Sequence, residues 1–231
     1  MSTAPTPSDA AAREVPAGTA ADLPWRCRCG EVTGRLSPPT GRHLRIVCHC
    51  RDCQAFAHAL GRAGDVLDAR GGTDVLGLAP DAFAFTGGHG RVAALRLYPR
   101  GLYRWYAGCC STPIANTGPS RLVPHLGLVA ASAVGAAGEA AVDAAFGPVR
   151  GAIHGRSAPG GVPPGAHPGV PLSMIPPGVA MFAGRWARGA HRRSAFFDAD
   201  GAPVAAARVL DEAERRALPP LAQPRRERKS S

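Results

Sequence analysis

The sequence predicts a mainly β domain followed by a partly helical C-terminal extension, and three observations carry that expectation. Between about residues 25 and 116, short apolar runs alternate with Gly and Pro, the texture of short strands joined by turns. All seven cysteines, Cys27, Cys29, Cys48, Cys50, Cys53, Cys109 and Cys110, fall in that same stretch. Beyond about residue 136 the composition shifts to Ala-rich and Pro/Gly-rich segments. The expected organisation is an N-terminal arm over 1–22, a β domain over 23–135, and an extension over 136–231.

The arm is rich in Ala, Pro, Thr and Ser and is expected to be disordered. Residues 43–48 read as a strand, because apolar and β-branched residues dominate them. Residues 52–60 form the one short helical candidate of the domain, beginning as the second cysteine cluster closes. Gly87-Gly88 marks a turn. Residues 92–97 and 102–106 read as two strands joined at Pro99-Arg100-Gly101, and 122–129 as a closing strand. In the extension, 138–146 is Ala-rich and helical in pattern. Residues 155–178 hold 13 Pro or Gly among 24 and read as a mobile or irregular linker. Over 179–191, Val179, Phe182 and Trp186 recur at helical spacing, with Arg185, Arg188 and Arg192 expected elsewhere on the surface. That pattern predicts an amphipathic helix docked on the core; the alternative is a membrane-surface or partner helix. Asp200-Gly201 is a turn. Asp211 and Glu214 have N-cap and N3 spacing, which starts a last helix over 212–218.

Composition excludes several function classes. No run approaches the roughly 20 apolar residues of a membrane span, and the first twenty residues carry no signal-peptide core. A cytoplasmic location follows as the expectation. The net charge of +10 invites a nucleic-acid partner. However, 26 of the 27 basic residues are Arg, in a chain equally biased toward Ala, Gly and Pro. The one cluster, Arg225, Arg226, Arg228 and Lys229, is a short tail that reads as solvated.

The chemistry lies in the cysteines. Seven is an odd number, and without a secretion signal it argues against a disulfide framework. The clusters are Cys27-Arg28-Cys29-Gly30, Cys48-His49-Cys50-Arg51-Asp52-Cys53, and Cys109-Cys110-Ser111-Thr112-Pro113. Zinc takes four ligands in a tetrahedron, and ligands close in sequence shorten the loop to be closed. Cys50 and Cys53 suit a turn around one ion. Cys48 shares a strand face with Cys50 by alternation, so one segment offers three thiolates. Three protein ligands with one vacant position is the pattern of a catalytic zinc. The other four cysteines can form a closed site whose binding free energy becomes folding free energy. The competing readings are buried thiols acting as small hydrophobes and a redox dithiol at Cys50 and Cys53. His49 is expected to face away from the thiols, and His43, His58 and His89 carry no cluster signal.

With these motifs the chain resembles the glutathione-dependent formaldehyde-activating enzyme (GFA) and CENP-V family. Cys27-Arg28-Cys29-Gly30 matches its first motif, Cys48 to Gln54 its second, and Cys110-Ser111-Thr112-Pro113-Ile114 resembles its third. The resemblance covers about residues 25–116. It implies an Mss4-like β-tent, a structural zinc from the first and third motifs, and a catalytic zinc from Cys48, Cys50 and Cys53. The departure is in the third motif, where the family has C-x-x-C-G before Thr-Pro. Aligned on Thr112-Pro113, Ala107 stands at the first cysteine and Ser111 at the glycine, while Cys109 is new. Either Cys109 replaces the lost ligand, or three protein ligands remain, or this site holds no metal. Gly108 is expected to supply the bend that two adjacent cysteines need.

The resemblance further implies a carbon–sulfur lyase or S-(hydroxymethyl)glutathione synthase type of reaction on a small thiol adduct, with glutathione as partner. Arg51, Arg62 and Arg91 are candidates for gripping a substrate carboxylate. Residues 179–191 are a candidate lid over the open metal position. The rival expectation is a zinc-stabilised binding module without chemistry.

Overall fold

The computed structural model describes residues 21–39 and 43–219. The expected arm, apart from its last two residues, and the basic tail lie outside the described residues. The fold is mainly β with a large mixed sheet and helices packed around it.

The strands are β1 (Leu23–Arg26), β2 (Thr33–Leu36), β3 (Leu44–Cys48), β4 (Thr73–Leu78), β5 (Phe83–Gly87), β6 (Val92–Arg96), β7 (Tyr103–Ala107), β8 (Thr112–Thr117), β9 (Leu126–Val129), β10 (Ala152–Ile153) and β11 (Ala207–Val209). The helices are α1 (Arg51–Ala59), α2 (Ala63–Val66), α3 (Ala130–Ala137), α4 (Glu139–Phe146), α5 (Ile175–Ala187) and α6 (Glu212–Ala217). Strands β1, β2 and β5 form a three-stranded antiparallel sheet. The other eight run in the order β10-β3-β4-β9-β8-β7-β6-β11. The inner six pair antiparallel, and the two edges are closed by parallel additions from the C-terminal segment. The sheet therefore ends in edge strands of two and three residues, too short to template another chain readily.

Alternation along the strands divides the apolar residues between two faces of the large sheet. One face packs Trp105, Ile114 and Leu126 against the small sheet's Trp25, Leu36 and Phe83, with Phe196 between them. Phe196 stacks on Phe83 at 5.6 Å and lies 5.1 Å from Trp105. Both buried indoles are satisfied, Trp25 donating to Ser132 Oγ at 3.1 Å and Trp105 to Thr117 Oγ1 at 2.9 Å. The opposite face packs Leu95, Leu97 and Val129 against Phe56 of α1.

Local chemistry sets the element ends. Gly88 adopts φ +73°, and a Cβ there would sit 2.0 Å from the Glu31 carbonyl oxygen, so this turn admits only glycine. Asp211 and Glu214 form the expected capping box at the start of α6. Arg45, buried in β3, donates to Asp74 Oδ2 at 3.0 Å, to Asp143 Oδ1 at 2.5 Å and to Gly147 O at 2.7 Å. It thereby staples β4 and α4 onto the strand that delivers the second cysteine cluster.

The docked face of α5 differs from the one expected. Val179 is 62% exposed and Trp186 55% exposed, whereas Arg185 is buried. Arg185 donates to the Gly77 and Leu78 carbonyl oxygens, each at 2.8 Å, and Phe182 lies against the His125 ring at 5.4 Å. The carbonyls at the end of β4 select a donor, so the helix turns its arginine inward and its valine and tryptophan outward. Between 155 and 174 the chain runs through short 3-10 turns at Gly155–Ser157 and Leu172–Met174.

Candidate metal centres

The first centre joins two loops. Cys27 and Cys29 occupy the turn between β1 and β2, held by Cys27 N–H donating to Val32 O at 2.9 Å and Gly30 N–H to Cys27 O at 3.0 Å. Cys109 and Cys110 occupy the loop between β7 and β8. Thr112 ties the loops together: its Oγ1 accepts the Arg28 N–H at 3.0 Å and lies 3.1 Å from Cys110 Sγ.

All four thiols converge within 4.8 Å of one another. The Sγ–Sγ separations are 3.3 Å for Cys29–Cys109, 3.5 Å for Cys27–Cys29, 3.8 Å for Cys27–Cys109 and 3.9 Å for Cys109–Cys110. A tetrahedron of sulfurs about 2.3 Å from zinc has edges of about 3.8 Å, and a disulfide would need about 2.05 Å. The cysteines are free, and their spacing fits a metal. Cys109 therefore joins the group, while Ala107 is the last ladder residue of β7, paired with Thr112. The bend is made differently from the expectation. Gly108 has no left-handed backbone; Ser111 does, with φ +56°. The Ser111 N–H donates to Ala107 O at 2.8 Å.

The second centre is Cys48, Cys50 and Cys53, also within 4.8 Å of one another. Cys48 ends β3, Cys50 is the N-cap of α1, and Cys53 lies in its first turn. Cys50 Sγ accepts the Cys53 N–H at 3.3 Å, so a thiol replaces the usual hydroxyl or carboxylate cap. The thiols gather at a helix N-terminus, where unpaired N–H groups and the helix dipole favour thiolate. His49 is buried between them in sequence but outside the cluster, its Nδ1 3.1 Å from Arg70 O.

In each centre one thiol is favoured as the thiolate. Cys53 is held well below its ordinary value by hydrogen bonds from Cys48 and Cys50 and by the charge of Arg104. Cys48 is pushed up by its hydrogen bonds to Cys50 and Cys53 and by burial. Cys50 is lowered by Cys48, but Cys53 and burial outweigh this and push it up to about 12. In the first centre burial raises Cys110, yet hydrogen bonds from Thr112 and the Cys29 backbone bring it down to about 6. Burial and the neighbouring Cys29 and Cys27 thiols push Cys109 up.

Arg104 is a site residue that sequence reading missed. It is buried in β7, donates to Asn116 Oδ1 at 3.0 Å, and lies 3.7 Å from Asp52 and over the Phe56 ring. Its guanidinium lowers Cys53 and would offset the net negative charge of three thiolates holding a divalent ion. Sequence offers no signal for it, since alternation puts it opposite the tryptophan, on what reads as the solvent face. Among the expected arginines, Arg62 donates to Cys110 O at 2.5 Å beside the first centre, and Arg91 pairs with Glu31 at 3.4 Å. The candidate lid, 179–191, docks instead on the Gly77 and Leu78 carbonyls and the His125 ring. Ile153 of β10, in register with Cys48, and Met174 pack with the second centre's residues.

No helix among the described residues is long and apolar enough to cross a membrane. A crystal structure of a Rhodobacter sphaeroides protein aligns with 48% of this chain and 86% of its own, at 14% identity and a TM-score of 0.34. No curated protein matches the chain. The profile of one family covers residues 20–208, and the chain belongs to that family, DUF6151, a family of unknown function.

Proposed function

We propose that the protein is a two-zinc, GFA-like enzyme acting on a small thiol adduct in the cytoplasm, of the carbon–sulfur lyase or S-(hydroxymethyl)glutathione synthase type. Cys27, Cys29, Cys109 and Cys110 hold a structural zinc, and Cys48, Cys50 and Cys53 an open one. On this reading the fold is a divergent Mss4-like β-tent. The observation that carries it is the partition of the thiols into a closed group of four and a group of three. Ser111 in the left-handed conformation supports it, because it stands at the glycine of the related third motif.

A zinc ion in the three-cysteine centre supplies an electrophilic position that favours a bound thiol as thiolate. The chain's own residues do the rest. Hydrogen bonds from Cys48 and Cys50 and the charge of Arg104 hold Cys53 toward its thiolate, and Cys50 fixes the start of α1. Isothermal titration of the zinc-loaded protein with glutathione tests the reading. Saturable binding that disappears when Cys48, Cys50 and Cys53 are replaced by Ser, with the first zinc retained, is expected. Equal binding in that variant would sink it.

A second reading is a zinc-stabilised binding module without chemistry. It is favoured by the packing of Ile153 and Met174 with Cys48, Cys50 and Cys53. Absence of any small-thiol binding with both metals present would select it.

A further inference from the structure

A cavity of about 460 Å³ lies beside the four-cysteine centre, separate from the three-cysteine one. Its size suits a small metabolite. Three guanidinium groups line it, Arg26, Arg28 and Arg62, against one carboxylate, Asp65. Asp65 is shared, accepting from Arg28 at 2.7 Å and lying 3.4 Å from Arg62. Arg26 makes no side-chain hydrogen bond or ion pair among the described residues, and Arg62 Nε is buried without a partner. Among the Arg and Asp side chains the wall carries about two positive charges in excess, and Cys27 and Cys29 of the adjacent centre line it as well.

Helix α3 also lines the cavity. Ala131 and Ser132, in the first turn of α3, line the cavity, and the N-cap, Val129, supplies no capping side chain. Ser132 Oγ is already committed, accepting from Trp25 and donating to Val129 O at 2.8 Å. Gly135, one turn on, lines the cavity too, so one side of α3 forms part of the wall. Val66 and Pro113 supply an apolar surface next to it.

We propose that this cavity is a binding site for a small organic anion, a phosphate or carboxylate group carried on an apolar body. Arg26 and Arg28 grip the charged group in charge-assisted hydrogen bonds, and the apolar wall takes the body. The alternative role for these arginines is to neutralise the thiolates of the adjacent centre. Arg62 reaches that centre through Cys110 O, and Arg26 makes no such contact. The inference does not rest on the catalytic reading of the second centre.

Isothermal titration of the full-length, metal-loaded protein with phenyl phosphate tests it. Saturable one-to-one binding below about 1 mM is expected, weakening as ionic strength rises. Arg26→Ala and Arg28→Ala should each weaken it roughly tenfold, with metal content unchanged. Arg26→Lys, which keeps the charge, should retain most of the affinity. Inorganic phosphate should bind more weakly than phenyl phosphate. No saturation by about 10 mM would overturn the proposal, as would unchanged affinity in Arg26→Ala. Loss of metal from Arg26→Ala would also overturn it, by assigning that arginine to the centre.

Discussion

The thiols of Cys29 and Cys109 lie 3.3 Å apart, although 80 residues separate them. That contact closes the first centre and joins the small sheet to the β7–β8 hairpin. Cys109→Ser should therefore release the first metal and lower stability by more than about 2 kcal/mol. Thermal unfolding with and without chelator checks this. A variant that keeps its unfolding midpoint and its metal would show that Cys109 is a bystander.

Arg104 should matter to the second centre without touching the first. Partners that orient or balance metal ligands typically alter affinity by about 10- to 100-fold. Arg104→Met should make the second metal roughly tenfold easier to remove in a competition with a chromophoric chelator. Equal retention in wild type and variant would refute a role for the guanidinium.

Arg185 and Trp186 are adjacent, and the structure gives them opposite weights. Arg185→Met strips two carbonyl oxygens of their donor and should cost about 2 kcal/mol or more. Trp186→Gln, which loses a stack on His191 at 5.4 Å but no hydrogen bond, should cost less than about 1.5 kcal/mol. Urea unfolding of both variants measures the contrast, and the reverse order would restore the helix face that spacing alone predicts.

His125 is pushed down to about 4, first by burial and then by the charge of Arg185. Its folded value lies below its unfolded value of about 6.5, so the unfolded chain binds the extra proton. Stability contributed by neutral His125 is complete above about pH 6.5 and falls as pH drops toward 4. Unfolding midpoints at pH 7 and pH 5 should differ more for wild type than for His125→Gln, which keeps all seven cysteines. Parallel pH profiles would contradict this.

The strands that were legible in sequence are those with dense apolar residues, β3, β6, β7 and β9, and α1 was marked by its cysteine start. Strand β2, Thr33–Leu36, carries Gly34 and Arg35 and offers too little apolar pattern. Strand β8 contains Pro113, a residue that argues against a ladder position. It is tolerated because the β7–β8 register shifts between Trp105 and Tyr106, where Pro113 pairs. The cysteine grouping was legible because metal ligands cluster in sequence. Arg104 and Arg185 were not, because a single arginine in a strand or helix reads as solvent-facing until the tertiary partners that bury it are known. The edge strands β10 and β11 are too short to show a period.

Metal per chain, measured by elemental mass spectrometry on untagged protein purified under reducing conditions, tests the central claim most directly. Two zinc ions are predicted, falling to one when Cys48, Cys50 and Cys53 are replaced by Ser. No metal, or a metal count unchanged by that replacement, would contradict the two-centre reading.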